Sequence, residues 1–293
     1  MERFCLVQER QVKQVIKGSK VRKELEPKNT KTGTTAREAE KMSAREFEGL
    51  TAVVTGAGSG IGLATATLLH SRGATVYGLD LNKGEMEATG VATWIECDVS
   101  DTPSVEKAFA EVAKKSPVID VLINNAAIGS IGTIESESDA NWEKVFNINV
   151  YGLARVSRTA LPSMRKSKSG AIVNVCSVAA TAGIPNRAIY SASKGAVLTL
   201  TLAMACDLIN DKIRVNCVNP GTADTPWVQR LLAQAADPVA ERARLEARQP
   251  SGRLVTSEEI ASSIAFLASP MQSAITGTAL GIDGGMQGLR IPK

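Results

Sequence analysis

Between about residue 51 and residue 282, short apolar runs alternate with longer amphipathic stretches. Apolar runs of about four to eight residues, bounded by Gly, Asn, Asp or Pro, read as strands buried on both faces. By that rule strands are expected at 51–55, 75–80, 91–99, 118–123, 171–176, 213–219 and 278–282. Helical patterning falls between them: 63–70, 103–115, 142–164, a strongly apolar stretch from 189 to 204, and a helix from the capping-type Ser257-Glu258-Glu259-Ile260 to Ala268. The segment 225–250 is helical and charged, with Pro226, Pro238 and Pro250 as breaks. Strands alternating with helices along the chain predict an α/β fold, a single doubly wound parallel sheet with helices on both faces.

Composition divides the chain unevenly. Of its 293 residues, 1–41 hold 11 Lys and Arg against six Glu, whereas 42–293 hold 23 against 24 Asp and Glu. The net charge of +4 therefore belongs to a basic, weakly patterned extension that reads as disordered, an upstream addition or a tether ahead of Met42-Ser43. The near-neutral body, 42–293, argues against a nucleic-acid-binding face. The extension has no apolar core of the secretory kind, and no uninterrupted apolar run reaches the roughly 18 residues of a membrane span, so no membrane association is expected. Five scattered cysteines without a Cys-x-x-Cys pair suggest neither a disulfide framework nor a zinc site, and fit reduced thiols in the cytoplasm. A single histidine, His70, in a helical pattern removes Ser-His-Asp chemistry as a strong candidate.

The candidate chemistry lies at the ends of the expected strands. Gly56, Gly60 and Gly62, with Ser59 and Ile61 between them, connect the first strand to the first helix, although G-x-G-x-x-G spacing is not met. Such a turn lets backbone approach a pyrophosphate at a helix N-terminus. Asp80 ends the second strand 18 residues after Gly62, near where an acid meets the ribose hydroxyls of NAD and repels a 2′-phosphate. Tyr190 and Lys194 share one helix face. An ammonium beside a phenol favours the phenolate, giving a group able to exchange a proton near neutral pH. Asn147 and Asn149 stand in an apolar helix and need partners if buried.

Thr55-Gly56-x-x-x-Gly60-x-Gly62, Asn124-Asn125-Ala126-Ala127, Asn149, Ser177, Tyr190-x-x-x-Lys194 and Pro220-Gly221, in this order over about 47–288, resemble the short-chain dehydrogenase/reductase family. Ala127 departs from the glycine commoner there. The resemblance implies a Rossmann fold and a dehydrogenase without metal. Tyr190 would be the proton-transferring residue, Lys194 would ease its ionisation and hold the nicotinamide ribose, and Ser177 would donate to the reacting oxygen. Asn149 would hold a relay water. Asp98 and Val99 would touch the adenine, Asn125 the ribose region, and Pro220, Gly221 and Thr222 the nicotinamide.

At the substrate end, Asn186-Arg187-x-x-Tyr190, Gly221-Thr222-x-Asp224-Thr225-Pro226 and Arg248-Gln249-x-x-Gly252-Arg253 look like the type 2 hydroxybutyrate dehydrogenase and 2-keto-3-deoxy-sugar-acid dehydrogenase branch. There Arg187 and Arg248 would hold a carboxylate; a third pocket arginine is unmatched, with Leu231 in its place and Arg230 beside it. The expected activity is NAD-dependent interconversion of a secondary alcohol and a ketone on a small hydroxy acid or deoxy-sugar acid. A 3-oxoacyl-thioester reductase is the rival enzyme, disfavoured by Asp80 because it usually wants NADPH. A non-catalytic dinucleotide sensor is a rival from another class, disfavoured because both Tyr190 and Lys194 are present. The resemblance also implies a homotetramer with two-fold interfaces.

Overall fold

Seven strands form one fully parallel sheet in a computed structural model that describes residues 45–290, all within the unit Ala44–Lys293. The basic extension expected at 1–41 lies outside the described residues. The strands are β1 (Thr51–Thr55), β2 (Thr75–Asp80), β3 (Thr93–Glu96), β4 (Val121–Asn124), β5 (Ala171–Val175) and β6 (Arg214–Pro220). Two-residue strands β7 (Ala223–Asp224) and β8 (Val255–Thr256) pair with each other, and β9 (Ala279–Ile282) closes the main sheet. The spatial order is β3-β2-β1-β4-β5-β6-β9. The chain runs outward from β1 to β3 and returns to place β4 on the other side of β1, so loops diverge from the carboxyl ends of β1 and β4. Such a switch point is where open α/β sheets bind ligands.

Alternation along each strand decides which helices pack where. Val54, Ile123 and Val173 face one cluster, with Ala66 and Leu69 of α1 (Gly60–Ser71) and Ile260, Ile264 and Leu267 of the helix Ser257–Ala268. Their neighbours Val53, Leu122 and Ile172 face the other, with Val105, Phe109 and Val112 from Thr102–Lys115 and Val156, Ala160 and Met164 from Leu153–Met164. Both faces are thus covered, which is why the strands read as apolar runs.

In chain order the helices after α1 are α2 (Met86–Thr89), α3 (Thr102–Lys115), α4 (Asp139–Phe146), α5 (Leu153–Met164), α6 (Ala188–Asp207), α7 (Pro226–Ala233), α8 (Pro238–Glu246) and α9 (Ser257–Ala268). The helix expected over 142–164 is interrupted by a π-helical turn, Asn147–Gly152. The strand expected at 91–99 shortens to β3 because Asp98 turns the chain, its Oδ1 accepting from the Ser100 amide at 2.8 Å. The cap of α9 is Thr256, one residue before the expected start, in a reciprocal box with Glu259. By length and composition α6 would suffice to cross a membrane, with mean hydropathy 1.3. Scanning for uninterrupted apolar runs misses it because Lys194 divides it. Here α6 lays Val197, Thr201 and Ala205 into the interior.

Two glycines set the turn after β1. Gly56 has φ +65°, and a Cβ there would lie 2.9 Å from Ala126 Cα. A Cβ on Gly62 would lie 2.0 Å from the Gly56 carbonyl oxygen. Gly62→Ala is expected to cost about 1–3 kcal/mol of stability as an overpacked site, measured from the urea midpoint, and to weaken dinucleotide binding. An unchanged midpoint would show that the loop yields.

Candidate active site

The glycine turn is held from both sides. Asn125, just past β4, donates its amide Nδ2 to the carbonyls of Thr55 at 2.9 Å and Gly56 at 3.0 Å. The Asp80 carboxylate accepts from the amides of Gly58 at 2.9 Å and Asn82 at 3.1 Å, which anchors it beside the turn. Ser59, the N-cap of α1, makes no side-chain cap bond, so the N-terminal amides of that helix are free of that competitor. A backbone cradle that a Cβ would fill, at a helix N-terminus, fits a pyrophosphate. A fixed carboxylate alongside fits a ribose diol.

The catalytic candidates converge from β5, the π turn and α6. Lys194 is only 3% exposed and donates Nζ to the Val175 carbonyl at 2.8 Å. The same Nζ lies 5.7 Å from the Tyr190 ring centroid, as the shared helix face predicts. Ser177, directly after β5, accepts the Ala179 amide on Oγ at 3.1 Å, which leaves its hydroxyl proton for another acceptor. Asn149 is 2% exposed and makes three bonds: it accepts the Ile128 amide at 2.8 Å and donates to the Ile128 carbonyl at 3.0 Å and to Ser193 Oγ at 3.1 Å. Ser193 in turn donates its hydroxyl to the Tyr190 carbonyl at 2.8 Å. The widened π turn lets Asn149 reach the loop after β4 and the Tyr190 turn of α6 together. Single-turn π bulges recur at such sites.

The substrate end is built by the loop after β4 and by α7 and α8. Arg187 immediately precedes α6, donates Nη1 to the Ser130 carbonyl at 2.9 Å and places its guanidinium 5.7 Å from the Trp227 ring centroid. Burial pushes Arg187 below the usual arginine range, with Tyr190 opposing and Arg244 adding to the shift. Arg248 is likewise pushed down, by burial first and then by Arg244 and Arg187. Both guanidiniums are therefore partly stripped of water and face cationic neighbours, a setting that an anionic ligand relieves.

One cavity of about 490 Å³ unites these parts. Its lining includes Gly56, Ser59, Gly60, Ile61, Asp80, Asn125, Ser177, Arg187, Tyr190, Lys194, Pro220, Gly221, Thr222 and Arg248. Gly62, Asp98, Val99 and Asn149 stand outside the lining; Gly62 packs beneath the loop, and Asp98 bonds to Ser100. The sequence reading missed Trp227, Ile184 and Leu245 as lining residues. Trp227 had one visible signal, a large aromatic following the Thr225-Pro226 helix start. Gln249, present in the substrate-end motif but given no role there, is 1% exposed and donates Nε2 to the carbonyls of Thr222 at 3.2 Å and Arg253 at 2.6 Å, tying the end of the α8 segment to the loop after β6.

A family model described as enoyl-(acyl carrier protein) reductase matches residues 56–287. The chain is 43% identical over 242 residues to cis-4-hydroxycyclohexanecarboxylate dehydrogenase of Sinomonas cyclohexanicum, covering 80% of this chain and 95% of that one. It is 37% identical over 248 residues to a 3-oxoacyl-[acyl-carrier-protein] reductase of Thermotoga maritima, covering 82% and 98%. Among solved structures, the ligand-free aldohexose dehydrogenase of Thermoplasma acidophilum superposes with a TM-score of 0.79 at 34% identity, covering 85% and 99%. The chain belongs to the short-chain dehydrogenase/reductase family. It is an oxidoreductase acting on CH–OH groups, of a class that uses NAD(P).

Tyr190→Phe is expected to lower kcat by about 10²–10⁴-fold, the usual worth of a positioned acid–base group. NADH binding, followed by its fluorescence, should persist. Near-normal kcat would assign the proton transfer to another residue.

Proposed function

We propose that the protein catalyses NAD-dependent interconversion of a secondary alcohol and a ketone on a small hydroxy acid or deoxy-sugar acid. The observation that carries the substrate class is a charge imbalance. Arg187, Arg230 and Arg248 line the cavity at its substrate end, and among the described lining residues the one carboxylate is Asp80, at the glycine turn. A planar guanidinium fork suits a carboxylate, and holding one there fixes the carbinol carbon. The Sinomonas relative is, by its name, a dehydrogenase of a hydroxy acid.

The bound nicotinamide supplies the hydride acceptor or donor. The chain's own residues then handle position and protons. Ser177 directs its free hydroxyl proton at the reacting oxygen, where charge develops. Tyr190 takes the carbinol proton in oxidation and returns it in reduction. The buried Lys194 ammonium sets a fixed positive charge beside the phenol and would hold the nicotinamide ribose when the cofactor is bound. Asn149 and Ser193 hold the Tyr190 turn of α6 against the π turn. Asp80, held by the Gly58 amide, would accept the adenosine ribose hydroxyls and oppose a 2′-phosphate.

The second reading, a 3-oxoacyl-thioester reductase, is favoured by the Thermotoga relative. Cofactor and substrate tests separate the two. NAD is expected to exceed NADP in kcat/KM, with Asp80→Ala narrowing the gap; equal or better use of NADP would point to the thioester reading. Arg187→Met is expected to raise KM for the acid by about tenfold or more, in line with loss of a buried charged contact, and to change turnover of the neutral alcohol little. An intact kcat/KM on the acid would sink the carboxylate assignment and leave the dehydrogenase class standing.

A further inference from the structure

We propose that Trp227 sets the upper length of the substrate by closing the catalytic cavity against an outer, uncharged pocket. The inference deepens the hydroxy-acid reading and rests on it for the identity of the head group only. The outer pocket measures about 370 Å³, and Gly129, Ser130, Trp227 and Leu231 line it as well as the catalytic cavity. Those four residues are the wall between the two. Beyond the wall stand Ile131, Asn141 and Gln234, with the Asn141 amide turned onto Ser130 and Glu137, and no charged side chain lines that side among the described residues. A chain extending from a carbinol carbon held at Tyr190 meets this wall, and the space behind it suits an uncharged tail.

The indole is placed rigidly. Pro226 opens α7, and Thr225 Oγ1 caps it by accepting the Val228 amide at 3.4 Å, so Trp227 sits on the first turn. Its ring lies down on Gly129: a Cβ at that position would be 2.7 Å from Trp227 Cζ2. Arg187 stacks over the same ring with its guanidinium 5.7 Å from the centroid, so one side chain both bounds the cavity and orients the candidate carboxylate anchor. At 41% exposed, Trp227 has solvent rather than core on part of its surface. Truncating it opens the wall without cutting into the sheet.

The test uses the full chain with NAD and two homologous series, 3-hydroxy acids and 2-alkanols, each of four to ten carbons. Wild type is expected to lose kcat/KM steeply beyond the short members. Trp227→Ala is expected to raise kcat/KM on the eight-carbon member about tenfold or more over wild type, the range a hydrophobic pocket gives per accommodated group. Trp227→Phe, which keeps a ring on Gly129, should retain the wild-type length profile. An absolute gain is required, because loss of the ring beneath Arg187 also lowers turnover of the short acid. No gain on long members of either series, with NADH binding intact, overturns the proposal. A gain confined to the alcohols supports the wall, the acids being held back by the loss of the ring beneath Arg187; the hydroxy-acid reading is decided separately by Arg187→Met. Should Trp227→Ala fail to bind NADH, Trp227→Val read by the same criterion decides.

Discussion

The burial of the Lys194 ammonium is the constraint on which the catalytic end depends. An amine only 3% exposed is costly unless it is bonded, and it is bonded to the carbonyl of Val175, the last residue of β5. That bond fixes α6 against the carboxyl end of the central sheet. Tyr190, one turn earlier, and Ser177, two residues after Val175, are then brought to the same opening. Ser193 and Asn149 secure the opposite side of this turn by its backbone, through the Tyr190 carbonyl.

The two ends of the cavity are built on different principles. The dinucleotide end is made of strand ends and a glycine turn pressed so closely that side chains are excluded, with Asn125 and Asp80 bonded to its backbone. Rigid scaffolding of this kind suits a cofactor shared by many enzymes. The substrate end hangs on α7, α8 and the loop after β4, outside the main sheet. The aldohexose dehydrogenase neighbour shares the frame at 34% identity, which is the relation expected when the frame is common.

Burial of Arg187 and Arg248 links energetics to function. Each loses water, and each feels Arg244 as a further cation. Glu241, the nearest counter-charge acting on both, is itself hydrogen-bonded to Arg244. A cluster of partly buried arginines of this kind is the feature on which the proposed anionic substrate rests.

Strand positions were legible in the sequence because strands buried on both faces of a parallel sheet must be continuous apolar runs, and β1, β2 and β5 fall where the runs do. Tyr190 with Lys194 was legible because the helical period alone puts them on one face. The π turn was not: nothing in Asn147-Ile148-Asn149-Val150 signals a widened helix, and the partners of the Asn149 amide within it, Ile128 and Ser193, are both distant in sequence. Nor was the partition at Trp227, since Gly129 and Trp227 meet only when the loop after β4 folds beneath α7. Local periodicity and spacing determined the fold class and the candidate reacting residues, because those depend on neighbours along the chain. The tertiary structure decided which polar groups are held by which, and where the cavity ends, because those depend on contacts between segments far apart in sequence.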